Sequence, residues 1–152
     1  MTRMAFFIGF IEDEFSQTNA EEFLRGVISL GPVDEEFLAP LTYWKTLDYE
    51  RQWRQGLLRI LSGSESSCLI TAMYDPSCAN FITWWPLYRL GDLMVVQNQI
   101  LFLDRLTDGF DECNPYRHVG TRQSVSDEGS AISEWTVPLM DVQRFCDREG
   151  DF

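Results

Sequence analysis

His118 is the sequence's only histidine, and it is therefore the first candidate for a general base in nucleophilic catalysis. A hydrolase with a nucleophile elbow would also need a G-x-S-x-G motif, which the sequence lacks. A lone histidine beside Tyr116 and Arg117 is more typical of a surface or hydrogen-bonded residue. A small hydrolase built around His118 stays open as an alternative, and loss of activity in His118→Ala with folding intact would support it.

The four cysteines, Cys68, Cys78, Cys113 and Cys146, are the other candidates for site chemistry. None form a C-x-x-C pair, and His118 lies five residues from the nearest of them, so their spacing does not match a zinc site. Cys68 lies in an apolar run and Cys146 in a helical pattern, where buried free thiols are common. We therefore expect no metal, no cofactor, no disulfide and a reducing compartment, the cytoplasm.

The stretch that begins at Asp104 resembles part of a calcium-binding loop. With Gly109 at the sixth loop position, Leu106 and Pro115 fall where the loop requires oxygen ligands. The match therefore fails, and the stretch is better interpreted as a solvated acidic loop.

Acidic residues outnumber basic ones by 24 to 12, which gives a formal net charge of −12. Nucleic acids and anionic lipids depend on Lys and Arg for affinity, so this charge argues against both as partners. The apolar stretch Met4–Ile11 is also much shorter than the roughly 20 residues that a membrane helix needs. The charge favours a basic protein partner, although solubility alone would also explain it.

Acidic side chains are clustered at residues 12–14, 34–36, 108–112 and 127–128. Each cluster could form a charged rim for a basic partner, and each is equally typical of ordinary solvated surface. Two of the clusters supply our acidic candidates for partner contacts, which are Asp34, Glu35, Glu36, Asp108, Asp111 and Glu112.

A β-hairpin is predicted around Gly91-Asp92, with strands over Phe81–Arg89 and Leu93–Leu103. Pairing Leu90 with Leu93 determines the register of the whole hairpin. In that register, one largely apolar face carries Leu87 with Val96, Thr83 with Ile100 and Phe81 with Phe102.

The other face of the hairpin mixes aromatic and amide side chains. Such a face can lie under a polar layer or serve as a recognition surface. Its members that we take as candidate partner contacts are Trp84, Tyr88, Gln97 and Gln99. Strand alternation places Trp85 on the opposite face from Trp84, and Pro86 predicts a bulge or an edge strand.

Two helices are predicted, near residues 48–62 and 138–148. The first has Asp48 as its N-cap, and Gly63 stands where a helix commonly ends. Its apolar residues recur with helical spacing at Tyr49, Trp53, Leu57, Ile60 and Leu61. The second begins at Pro138, with Leu139, Val142, Phe145 and Cys146 facing inward.

The remaining segments indicate mostly strands. Glu21–Leu30 is ambiguous, because it begins like a helix and ends like a strand with Gly26 between. The predicted strands outside the hairpin are Met4–Ile11, a short edge strand over Asp34–Leu38, Cys68–Tyr74 and Ile132–Val137. We therefore expect one domain, residues 1–152, with an α+β fold built on a mainly antiparallel sheet.

An ordered series of short motifs resembles a known family. The series is Pro40-Leu41-Thr42-Tyr43-Trp44, Asp48-Tyr49 with Trp53, Met73-Tyr74-Asp75-Pro76, Ala79-Asn80-Phe81-Ile82, Val96-Gln97-Asn98-Gln99 with Phe102-Leu103, and Ile132-Ser133-Glu134-Trp135. It is similar to the immunity proteins of bacterial contact-dependent growth inhibition systems, and in particular to the group paired with toxins that cleave ribosomal RNA. The resemblance covers about two-thirds of the chain, from Pro40 to Trp135.

The resemblance implies a cytoplasmic protein without enzymatic activity. It implies one-to-one binding to the basic C-terminal toxin domain of a large secreted adhesin-like protein, and a β-rich, two-sheet fold similar to the Whirly single-stranded-DNA-binding proteins. The ten candidate residues named above would then contact the toxin. The alternative is a single-stranded nucleic-acid-binding module that stacks bases on Trp84 and Tyr88.

Overall fold

The computed structural model describes residues 6–18, 21–126 and 129–149, and of residues 12–18 and 21 the backbone alone. Two antiparallel sheets and two helices make up the fold, which confirms the α+β class and the predominance of antiparallel strands. The elements are β1 (Phe6–Thr18), β2 (Glu21–Leu30), β3 (Val33–Pro40), α1 (Thr46–Leu61), β4 (Ser66–Ala72), β5 (Phe81–Leu90), β6 (Leu93–Phe102), β7 (Ser133–Pro138) and α2 (Leu139–Glu149). Short 3-10 helices lie at Leu103–Arg105 and Pro115–His118.

The three-stranded sheet has the order β1-β2-β3, so β3 is an edge strand as predicted, although it is longer than 34–38. The ambiguous segment Glu21–Leu30 is a strand throughout. Gly26 pairs with Phe37, and a Cβ at Gly26 would clash with the ring of Phe37, which occupies the space that a side chain would fill. The glycine thus allows the ring to pack on the strand, and it does not interrupt the strand.

The four-stranded sheet has the order β4-β5-β6-β7. Its hairpin has the predicted register, with Leu90 opposite Leu93 and Phe81 opposite Phe102. Gly91 has a φ of 59°, in the left-handed region that a two-residue hairpin turn needs.

The expectation of a bulge or an edge at Pro86 is wrong. Pro86 lies in a central strand, opposite Cys68 of β4, and the register with β6 is the same before it and after it. The ladder to β6 loses pairs at Trp85 and Pro86 and resumes at Leu87 with Val96. Proline has no N–H to donate, and its presence interrupts the ladder locally without changing the register. Trp84 and Tyr88 therefore share one face, as predicted.

Helix α1 begins two residues earlier than predicted. Asp48 is not the N-cap, because its carboxylate accepts a hydrogen bond from the backbone N–H of Lys45 at 2.9 Å, three residues before it. An acidic residue at this position is the second half of a capping box. Gly63, with a φ of 111°, follows the helix end at Ser62 as expected.

The inner face of α1 packs on the outer edge of β4. The amide of Gln52 accepts from the N–H of Ile70 at 2.7 Å and donates to the carbonyl of Cys68 at 2.8 Å. The Trp53 indole N–H donates to the Ile70 carbonyl at 2.7 Å. These side chains take the place of a fifth strand, so this edge of the sheet is covered rather than open.

Helix α2 lies close to its predicted position and buries Val142, Phe145 and Cys146. The ring of Phe145 packs edge-on against Phe6 of β1 at a centroid distance of 5.5 Å. Buried residues of both sheets and both helices form one hydrophobic cluster.

Candidate functional site

The ten sequence-predicted contact residues lie in three places. Asp34, Glu35 and Glu36 lie on the edge strand β3, and Trp84, Tyr88, Gln97 and Gln99 lie on one face of the β5–β6 hairpin. Asp108, Asp111 and Glu112 lie in the connection between β6 and β7, residues 103–132, which we call the covering segment. The clusters at 12–14 and 127–128 have no described side chains.

The covering segment lies over the aromatic and amide face of the hairpin. The Tyr88 hydroxyl donates to the Gly120 carbonyl at 3.1 Å, and the Gln97 amide donates to the Gln123 carbonyl at 2.9 Å. Trp84 is 3% exposed, Tyr88 is 8% exposed and Gln97 is fully buried. Of the two roles open to this face, the structure has the polar layer, because the covering segment buries Trp84, Tyr88 and Gln97.

Gln97 is the centre of the hydrogen bonds that hold the covering segment. Its carbonyl oxygen accepts from Gln99 at 2.6 Å, and its amide also donates to the Glu134 carboxylate at 2.8 Å. Arg122 of the segment binds the same carboxylate through two nitrogens, at 2.9 Å and 2.6 Å. These bonds, chiefly those from Arg122, lower the pKa of Glu134. The carboxylate therefore stays ionised at neutral pH and keeps its bonds to Arg122 and Gln97.

A cavity of about 330 Å³ lies between the covering segment and the hairpin face. His118 lines it, with its ring stacked on Phe110 at a centroid distance of 5.1 Å. The His118 Nε2 accepts a hydrogen bond from the backbone N–H of Asp111 at 2.9 Å. Burial is the main cause that lowers the pKa of His118. The ring is therefore neutral at neutral pH and can accept the hydrogen bond from Asp111, seven residues before it.

The acidic residues of the covering segment differ in what they bind. Asp111 stabilises a turn, because its Oδ1 accepts from the N–H groups of Cys113 and Asn114, both at 3.1 Å. Arg117 lies 3.4 Å from Asp111 and 3.8 Å from the more exposed Asp108. Asp111 is therefore structural, and its charge is partly balanced by a neighbouring guanidinium.

Glu112 joins the covering segment to the connection between β3 and α1. Its two oxygens accept from the Tyr43 hydroxyl at 2.6 Å and from the Trp44 indole N–H at 3.0 Å. The hydrogen bond to Glu112 raises the pKa of Tyr43 to about 12, so the phenol stays protonated. The Tyr43 ring is thereby held in place although it is 40% exposed.

Beside Tyr43 lies an open groove of about 520 Å³, which we call the aromatic groove. Its lining residues are Thr42, Tyr43, Tyr74, Asp75, Cys78, Ala79, Asn80 and Phe81. None of these residues is among the contacts predicted from the sequence, although three of the short motifs that carry the family resemblance contain all of them but Cys78. They meet here because β3, β4 and β5 each end or begin at this corner.

The other group of predicted acidic residues lies on β3, in the three-stranded sheet. Asp34 and Glu36 are exposed on one side of β3, whereas Glu35 points to the side on which Ile28 is buried. The Arg25 guanidinium lies 3.4 Å from Glu36 and balances part of the charge there. The structure thus does not bring the three predicted groups together into one surface.

Among the described residues, no group of three or more His, Cys, Asp or Glu side chains is placed to hold a metal ion. Neither described helix is long and apolar enough to cross a membrane. The four cysteines are free thiols, with Cys68 and Cys146 buried and Cys78 and Cys113 exposed.

Comparison with known proteins gives consistent matches. Residues 39–145 match the family model described as the CdiI N-terminal domain. The chain is 35% identical over 118 residues to the immunity protein CdiI of Enterobacter cloacae, which covers 78% of this chain and 81% of that protein. It also superposes on a chain of the CdiA-CT/CdiI toxin and immunity complex from Enterobacter cloacae with a TM-score of 0.85 and 31% identity, over 97% of this chain and 99% of that one.

Proposed function

Because this chain belongs to the CdiI family of contact-dependent growth inhibition immunity proteins, we propose that it binds and neutralises the C-terminal toxin domain of its cognate CdiA protein. The observation that carries the proposal is the match over nearly the whole chain to a structure solved as a toxin and immunity complex. Inhibition takes place in the cytoplasm, by formation of a one-to-one complex.

Binding alone accounts for the inhibition in this proposal, without an enzymatic step. One ring nitrogen of His118, Nε2, already accepts a hydrogen bond from the Asp111 backbone. This engagement supports a structural role for the ring. Preformed turns and bonded aromatic side chains on the surface favour tight binding, because less conformational entropy is lost on association.

We propose further that the toxin is a basic nuclease, as the resemblance to the group paired with RNA-cleaving toxins implies. A nuclease holds the phosphate backbone with Lys and Arg, so its substrate-binding surface is positively charged. A partner with a net charge of −12 is attracted to such a surface over long range. The charge of this chain therefore supports a basic toxin, and the class of reaction is for experiment to decide.

Bacterial growth gives a direct test of the proposed function. Cells that express the C-terminal domain of the cognate CdiA protein should stop growing, and co-expression of this chain should restore growth. An unrelated CdiA toxin domain serves as the control, because cognate immunity should not protect against it. Growth arrest that persists with both cognate partners present and soluble would contradict the proposal.

A further inference from the structure

The aromatic groove has the composition of a site for a cationic side chain. The rings of Tyr74 and Phe81 meet edge to face at a centroid distance of 6.1 Å, and Phe81 is 41% exposed. The groove is lined by one acidic residue, Asp75, and by no basic residue. Aromatic faces attract guanidinium groups, and a carboxylate beside them supplies a bidentate partner.

Hydrogen bonds order both sides of the groove before any partner arrives. The Asp75 carboxylate accepts from the N–H of Ser77 at 3.0 Å and from its hydroxyl at 2.7 Å, while the Asp75 carbonyl accepts from Cys78 and Ala79. On the opposite side, Glu112 fixes the ring of Tyr43 through the hydroxyl. Side chains that are already ordered lose little entropy on binding, which is a property of interface anchors.

The charges around the groove indicate which partner fits it. The Asp75 carboxylate is exposed, and the hydrogen bonds from Ser77 lower its pKa, so it is anionic at neutral pH. The nearby ammonium of Lys45 donates to the Leu41 carbonyl at 2.6 Å and does not pair with Asp75. By contrast, the acidic edge of β3 already holds an arginine of its own, Arg25, at Glu36.

We propose that the aromatic groove is the docking site for an arginine-bearing segment of the toxin domain. The guanidinium stacks on the exposed ring of Phe81, beside Tyr74, and pairs with the carboxylate of Asp75, while Tyr43 closes the side nearest Glu112. This inference rests on the proposed function, since it names the surface through which the toxin is held. Arginine fits better than lysine, because its planar group can stack and bind a carboxylate through two nitrogens.

Two single substitutions in the groove test the proposal against matched controls elsewhere. Asp75→Asn removes the charge but keeps an oxygen that can accept from Ser77, and Phe81→Ser removes the ring. Asp92→Asn removes one charge from the exposed hairpin turn, and Leu90→Ser removes a side chain that is 47% exposed. All four variants should unfold at temperatures close to that of the unmodified protein.

The measurement is the affinity for the purified C-terminal domain of the cognate CdiA protein. We expect Asp75→Asn and Phe81→Ser each to raise Kd about tenfold or more, while the two controls stay within about twofold. Asp75→Asn should also weaken the salt dependence of binding, whereas Phe81→Ser should leave it unchanged.

Three results would overturn the inference. Groove variants that bind as tightly as the controls would exclude the groove while leaving the proposed function intact. A loss of affinity in Asp34→Asn with Glu36→Gln, and not in the groove variants, would place the toxin on the edge of β3. Self-association that Phe81→Ser abolishes would mean that a second copy occupies the groove. If the unmodified protein does not bind the toxin domain, the proposed function itself fails.

Discussion

Gln52 is a buried residue whose polar side chain determines how a helix meets a sheet. Its amide bonds both to the Ile70 N–H and to the Cys68 carbonyl, on the edge of β4 that faces away from β5. Neither backbone group has access to water once α1 covers this edge, because Cys68 and Ile70 are fully buried. The side chain therefore performs the role of a neighbouring strand, at a position that a helical wheel would assign to an apolar residue.

Gln52→Met should lower the free energy of unfolding by about 3 kcal/mol, because at least two buried backbone groups lose their partners while the volume is conserved. Urea unfolding at neutral pH measures the change. Gln143→Met, at an exposed position of α2, is the matched control and should change stability by less than about 0.5 kcal/mol. Equal stability of Gln52→Met and the control would show that β4 does not depend on this amide.

His118 makes the stability of the covering segment depend on pH. Its pKa is lower in the folded chain than its ordinary value, so the unfolded chain binds a proton more readily. The contribution of the neutral ring is therefore fully present above about pH 6.5 and decreases as the pH falls from there toward the folded pKa. Protonation of Nε2 also removes the acceptor for the Asp111 N–H.

Urea unfolding of the unmodified chain and of His118→Gln at pH 7.5 and at pH 5.5 tests this role. We expect the unmodified chain to lose more stability than the variant between the two pH values, because other titrating groups are common to both. A larger loss in the variant would mean that the folded state favours the charged ring, contrary to the geometry.

The covering segment contains two short 3-10 helices, and its described residues are hydrogen-bonded to the hairpin beneath it. Gln97→Leu should loosen it, since one buried amide makes hydrogen bonds to Gln123, Glu134 and Gln99. We expect faster amide hydrogen exchange over residues 119–125, with β4 and β5 little affected. Asn98→Ala, at the exposed neighbouring position, is the control and should leave exchange in the segment unchanged. Uniformly faster exchange in Gln97→Leu would indicate global destabilisation instead.

Local patterns predicted much of the fold. The two-residue turn at Gly91-Asp92 was enough to give the hairpin register, and the helical spacing from Tyr49 to Ile60 was enough to give the inner face of α1. The pattern was ambiguous where a residue of another strand decides the local structure. Gly26 made β2 ambiguous because the ring that occupies its space comes from Phe37 on the next strand.

The candidate site was harder to predict for the same physical reason. Alternation put Trp84 and Tyr88 on one face, but the segment that covers them begins after β6 and could not be placed from periodicity. Glu112 was selected for its charge, whereas its contacts with Tyr43 and Trp44 span 69 and 68 residues of chain. Groove residues that come together only through such contacts carry no local signal.

At the scale of the whole molecule, the hydrophobic core and the surface charge have different roles. Buried residues of both sheets share one hydrophobic cluster. The net charge of −12 is carried by the surface and acts over distances greater than any one contact. It should therefore govern how fast a basic partner arrives, whereas the buried contacts govern how long it stays.

The association rate with the cognate toxin domain should fall steeply as salt rises, because the Debye length shortens to about 8 Å at about 0.15 M salt. The dissociation rate should change much less over the same range. Stopped-flow mixing at several salt concentrations measures both rates. An association rate indifferent to salt would mean that the acidic surface serves solubility alone.

The central claim is that this chain neutralises a toxin by binding it, and titration of toxin activity tests this most directly. Increasing amounts of the purified chain are added to a fixed concentration of the cognate CdiA C-terminal domain, well above Kd, and the residual activity on toxin-sensitive cell extract is measured. The account predicts a linear decrease that reaches zero at one equivalent. Full activity beyond one equivalent, or complete inhibition far below it as a turnover enzyme would produce, would contradict the account.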